Sequence, residues 1–129
     1  ARYHPRCFQG NVLYASDLPQ ERYDSIAINY LLHCLPGPLS GKGHAVLENL
    51  IPHLHPGNGR LFGSTILGIG VGHNALGRRL MAFYNRKGIF GNTNDGEEDL
   101  RNLLAQHFPA FDLEVIGCVA LFTGYIKKV

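Results

Sequence analysis

Apolar residues fall into two rhythms along this chain, and the rhythm switches where proline, glycine and asparagine gather. Tyr23 to Tyr30 is nearly continuous in apolar character, as strands buried on both faces are. From Leu39 to Leu54 the spacing turns helical, with Val46, Leu47, Leu50, Ile51 and Leu54 on one face. His55 to Gly59 then supplies proline and glycine where a helix has ended. Arg60 to Leu67 reads as a second buried strand. After the glycine-rich stretch Gly68 to Gly72, the positions Leu76, Leu80, Met81, Phe83 and Tyr84 predict a helix over Asn74 to Asn85. Asn92 to Gly96 is a loop. The acidic turn Glu97, Glu98, Asp99 opens a helix reaching about Phe108, which suits the helix dipole. Phe111 to Gly117 and Val119 to Lys127 predict two strands separated only by Cys118, hence an antiparallel hairpin. Upstream, Arg6 to Gln9 reads as a short strand, followed by a loop through Gly10, Asn11 and Ser16 to Pro19.

Strands alternating with helices and closing in a hairpin predict a single α/β domain over residues 1–129, a Rossmann-like and mostly parallel sheet. A chain of 129 residues that is 45% hydrophobic has room for one core. The net charge of +2 is small, and the basic pairs Arg78-Arg79, Arg86-Lys87 and Lys127-Lys128 stand apart, so nucleic acid is not an expected partner. No apolar run approaches the ~18 residues of a membrane span. Three widely spaced cysteines, Cys7, Cys34 and Cys118, fit a reducing, cytoplasmic setting better than a disulfide framework.

Chemistry is expected where strands end. In open α/β sheets ligands bind beyond the carboxyl ends of the strands, and Asn29 and Tyr30 close the first convincing one. His33 is a candidate general base, its reference pKa of about 6.5 suiting that work, or else a histidine satisfied by its own turn. His73, Asn74, Tyr84, Asn85 and Asn92 are candidates for lining a substrate pocket, although helix capping explains Asn74 equally well. Gly68 to Gly72 with Asp95 imitates a dinucleotide fingerprint. Ile89-Phe90 is too short to be the strand that fingerprint requires, so a flexible loop over the substrate site is the better reading and a nucleotide-dependent oxidoreductase the weaker one. His53 and His55 straddle a helix end with no third ligand at zinc spacing, so no metal is expected.

In order and spacing, several segments resemble the carboxyl-terminal part of a class I S-adenosylmethionine-dependent methyltransferase. Tyr23 to Ile26 is similar to that family's fourth strand, Leu50 to Leu61 to its turn into the fifth, and Asp112 to Lys128 to its sixth and seventh. Leu32 to Gly37, Gly63 to Leu67, Tyr84-Asn85 and Gly88 to Asn92 resemble a subgroup acting on small molecules in secondary metabolism. The resemblance implies methyl transfer from S-adenosylmethionine to an oxygen or nitrogen of a small-molecule acceptor. It implies cofactor contacts from Asn11, Val12, Asn29 and Tyr30, with Tyr30 and His33 at the reacting centre. Asn11 falls where the family carries an aspartate that touches adenine, and a turn-forming asparagine after Gly10 accounts for it as well. The family's first two strands, with their glycine-rich turn and acidic ribose contact, would precede Ala1. Three possibilities follow: a fragment of a longer enzyme, a second chain that supplies the missing half, or a non-catalytic scaffold of methyltransferase shape.

Overall fold

A computed structural model describes residues 2–127. Four strands, β1 (Ser25–Asn29), β2 (Arg60–Ile66), β3 (Ala110–Ile116) and β4 (Val119–Tyr125), form one sheet in the order β1-β2-β4-β3. The α-helices are α1 (Leu39–Leu50), α2 (Ala75–Arg86) and α3 (Glu97–His107). The α/β architecture and the terminal hairpin agree with the sequence pattern, and Lys128 lies outside the described residues.

Two expectations need correction. The described sheet is not mostly parallel: β1 pairs β2 in parallel, while β2–β4 and β3–β4 are antiparallel. The hairpin return of β4 inserts it between β2 and β3, so only the α1 crossover joins parallel neighbours. Nor do Arg6 to Gln9 form a strand. A strand exists only with a partner, and these exposed residues reach none. The helix from Leu39 also stops early, because Pro52 has no N–H to continue it and the chain tightens into a 3₁₀ turn at Ile51–His53.

One face of the sheet is covered. Ile28, Leu61, Ala120 and Phe122 pack against Val46, Leu47 and Leu50 of α1 and Leu100, Leu103 and Leu104 of α3. Each fully buried leucine, isoleucine, valine or phenylalanine side chain contributes roughly 1.5–3 kcal/mol. The helices approach closely at Gly43, where a Cβ would run into Leu103. The opposite face stays open, with Phe62 40%, Leu121 41% and Ile116 58% exposed. β1 is also an open edge. Asp24 O accepts from Arg60 and Tyr30 N donates to Ser64, so by parallel-ladder alternation the N–H and C=O groups of Ser25, Ala27 and Asn29 point away from β2.

Across the α1–α3 seam, His44 Nδ1 and His107 Nε2 lie 2.9 Å apart, so one ring must offer a lone pair to the other. Burial, then the facing His44, hold His107 below the usual imidazole range, with Glu48 pulling the other way. Glu48 Oε2 lies 3.5 Å from His44 Nε2. A depressed folded pKa means that the unfolded chain takes up the proton first. The stabilisation is complete above about pH 6.5 and is lost as pH falls through that value toward the folded pKa. The urea midpoint is therefore expected to drop between about pH 7.5 and 5, and to drop less in His107→Gln. Equal drops in both proteins would refute this coupling.

Candidate functional site

The carboxyl ends of β1 and β2 lie side by side, and the chain does something unusual there. Tyr30 follows the last residue of β1 with φ 56°, the one non-glycine residue with positive φ among those described. Left-handed backbone at such a residue costs about 1–3 kcal/mol and persists only where its surroundings impose it. Tyr30 N donates to Ser64 O at 2.8 Å, and the ring is 54% exposed. Beside it, the exposed Asn29 accepts from Ser64 Oγ at 3.2 Å through Oδ1, which leaves its Nδ2 protons available.

From Tyr30 an aromatic chain runs to α2. The Tyr30 and His33 rings sit edge to face at 5.8 Å, His33 and Phe90 at 4.7 Å, and Phe90 and Tyr84 tilt together at 5.0 Å. Beyond it, Leu76, Leu80 and Phe83 of α2 and the nearby Ile89 are exposed, and α2 buries none of its residues. The strand ends are thus flanked by an open apolar wall.

His33 is brought to this place but is not free to act as a base. It is buried at 3% exposure, and its Nδ1 accepts the Ile66 N–H at 3.2 Å, with Thr65 Oγ1 at 3.5 Å. A peptide N–H can only donate, so in the neutral ring Nδ1 is the acceptor and Nε2 carries the proton. Burial, then the Lys42 charge, lower its pKa and keep it neutral. His33→Phe is expected to strand the Ile66 N–H and lower the unfolding free energy by about 1–3 kcal/mol in urea titrations. An unchanged midpoint would show that this hydrogen bond carries nothing.

The other candidates divide. Asn92 is fully buried: Nδ2 donates to Ile66 O at 3.0 Å and Oδ1 accepts from Asn85 Nδ2 at 2.9 Å. That occupation removes Asn92 from any substrate-contacting set and makes it the tie between β2 and α2. Asn74 caps α2, with Oδ1 accepting from Gly77 N at 2.7 Å. His73 Nε2 contacts Leu67 O at 3.2 Å, and His73 lines a cleft of about 270 Å³ together with Met81, Asn85 and Thr93. Asn11 forms its own turn, Oδ1 accepting from Leu13 N at 2.9 Å, and Val12 O is held by Asn49 of α1 at 2.9 Å. These contacts anchor the Asn11–Val12 turn to α1 rather than to Tyr30.

The glycine-rich loop is pinned at its start, since Gly68 N and Ile69 N both donate to Asp95 O and a Cβ on Gly68 would strike Asn92 O. Neither histidine of the discarded metal reading points to a shared ion: His53 Nδ1 meets Glu21 O at 3.0 Å and His55 Nδ1 accepts from Gly57 N at 3.1 Å. The sequence reading missed a buried ion pair, Lys42 Nζ to Asp95 Oδ2 at 2.8 Å. Its signal was present, because Lys42 stands on the apolar face of α1 with Leu39, Val46 and Leu50, where an unpaired lysine is not tolerated. Burial pushes the Asp95 carboxyl up, and the Lys42 ammonium pulls it back.

No protein-family model matches the chain. It is 41% identical over 124 residues to demethylluteothin O-methyltransferase of Streptomyces thioluteus, a match covering 96% of this chain and 53% of that protein. Its fold is similar to part of an O-methyltransferase family protein from Burkholderia thailandensis, with TM-score 0.65 and 19% identity over 92% of this chain and 34% of the other. PigF, solved with SAH, aligns with TM-score 0.60 and 18% identity over 89% of this chain and 33% of its own. The chain spans about half the length of the curated relatives it matches.

Proposed function

We infer that this homologue of O-methyltransferases, folded like the carboxyl-terminal part of a class I S-adenosylmethionine-dependent methyltransferase, serves methyl transfer to an oxygen of a small molecule. The observation that carries the reading is Tyr30, held left-handed and exposed at the end of β1 beside Asn29. S-adenosylmethionine, when bound, supplies an electrophilic methyl group on a sulfonium; the name of PigF with SAH supports that choice of cofactor.

The residues fit the reacting end of such a cofactor. The exposed Tyr30 ring offers a π face to a positive sulfur, an attraction of roughly 0.5–2 kcal/mol. The Asn29 amide protons can fix a neighbouring carboxylate or hydroxyl. Asn11 has a second lone pair on Oδ1 for an adenine amino group, and Val12 lies in the same turn. In-line displacement at a methyl carbon depends on alignment, so positioning the acceptor oxygen accounts for much of the rate. The acceptor lies against Tyr30, Phe90 and Tyr84, with His33 packed behind them and His73 at its margin. The acceptor proton goes to solvent and not to His33, whose lone pair Ile66 holds. Asn74 contributes by starting α2.

The rest of the cofactor cradle belongs to the remaining length seen in the relatives, in this same chain or a partner, and the open edge of β1 is where it joins. Nothing in this reading calls for a metal. No described helix is long and apolar enough to cross a membrane, and a cytoplasmic enzyme of secondary metabolism is the setting proposed. Calorimetric titration of the full-length protein with S-adenosylmethionine is expected to give saturable heat. A flat titration at high protein concentration would favour a non-catalytic scaffold instead.

A further inference from the structure

We propose that the buried pair Lys42–Asp95 positions the acceptor side of the transfer site by clamping three loop segments at the carboxyl ends of β1 and β2. The proposal rests on the reading that transfer takes place there. The two side chains are 2% and 1% exposed. Burying an ammonium is unfavourable unless it is paired and hydrogen-bonded, and here it meets two carbonyls and a carboxylate. Lys42 Nζ donates to Leu35 O at 3.1 Å and Gly91 O at 2.7 Å and forms an ion pair with Asp95 Oδ2 at 2.8 Å, while neither carboxylate oxygen of Asp95 accepts a hydrogen bond.

Each partner belongs to a different part of the site. Leu35 closes the turn that carries Tyr30 and His33. Gly91 follows Phe90 of the aromatic wall, and its N–H donates back to His33 O at 2.7 Å. Only glycine permits that approach, since a Cβ on Gly91 would meet Leu35 O. Asp95, through its own carbonyl, holds Gly68 N at 2.8 Å and Ile69 N at 3.1 Å, fixing the start of the loop to α2. One ammonium therefore links the turn after β1, the segment bearing Phe90 and the loop after β2. An apolar pair of equal volume would fill the space but bind none of these carbonyls. A buried ion pair is weak evidence of stability, and its contribution here is the geometry that it imposes on the segments around the acceptor.

In the full-length protein, Lys42→Met is expected to speed hydrogen exchange at Gly68, Ile69 and Gly91 by about tenfold or more, with β3 and β4 unchanged. The acceptor KM is expected to rise about tenfold with cofactor affinity intact. The double variant Lys42→Met/Asp95→Leu removes both charges, so it keeps a folded core if the single change does not, and it should show the same raised KM. Local release of the three segments with a wild-type acceptor KM would overturn the clamp while leaving methyl transfer standing. Uniformly faster exchange, or a double variant that does not fold, would assign the pair to global stability and overturn it as well. A wild-type protein that transfers no methyl group would instead sink the functional reading on which the clamp depends.

Discussion

Tyr30→Gly is expected to leave the protein at least as stable as wild type while lowering methyl transfer by about a hundredfold, the scale at which misplaced reactants slow a reaction. The two effects separate because they arise from different atoms. The backbone at φ 56° is strained for tyrosine and acceptable for glycine. The ring is 54% exposed and touches His33 edge to face, so its loss removes little buried area. Tyr30→Ala removes the same ring but keeps a Cβ at positive φ, and should unfold about 1 kcal/mol more easily than the glycine variant. Urea titrations and turnover measurements on the three proteins decide the matter. Wild-type turnover in Tyr30→Gly would remove Tyr30 from the transfer site.

The second large effect concerns the open side of the sheet. Residues 1–129 alone are expected to bind S-adenosylmethionine at least about a hundredfold more weakly than the same residues joined to the part of demethylluteothin O-methyltransferase that they do not match, and to self-associate through β1. The unpaired backbone of Ser25, Ala27 and Asn29 is a template for another strand, and Phe62, Leu121 and Ile116 expose apolar area next to it. Sedimentation of the isolated chain, with calorimetry on both proteins, makes the comparison. A monomeric chain that binds the cofactor as tightly as the joined protein would show that the edge and face need no further strand.

Local rules made much of this fold legible. Leu39 through Leu50, Ala75 through Arg86 and Glu97 through His107 announce themselves by apolar spacing and end signals, and Cys118 leaves room only for a hairpin. The position of Tyr30 at a strand end was legible in the same way. What local rules did not reveal depends on contacts between distant residues. Arg6 to Gln9 looks like a strand until one asks what it pairs with. The order of β2, β4 and β3, which makes most pairings antiparallel, is set by where the hairpin docks. His33 carries the composition of a base, yet the Ile66 N–H, 33 residues away, takes the lone pair that it would need. Asn92 looked like a ligand and is consumed by Asn85 and Ile66 for the same reason. Lys42 was visible as an anomaly on an apolar helix face, but its meaning required Asp95.

The central claim is that transfer chemistry sits at the carboxyl ends of β1 and β2. It is tested most directly by following backbone amide shifts in the isotopically labelled protein during titration with S-adenosylhomocysteine. The account predicts saturable shifts at Asn29, Tyr30 and the Asn11–Val12 turn, with the β3–β4 hairpin still. Saturable shifts elsewhere that spare Asn29 and Tyr30, or no shifts at millimolar ligand, would contradict it.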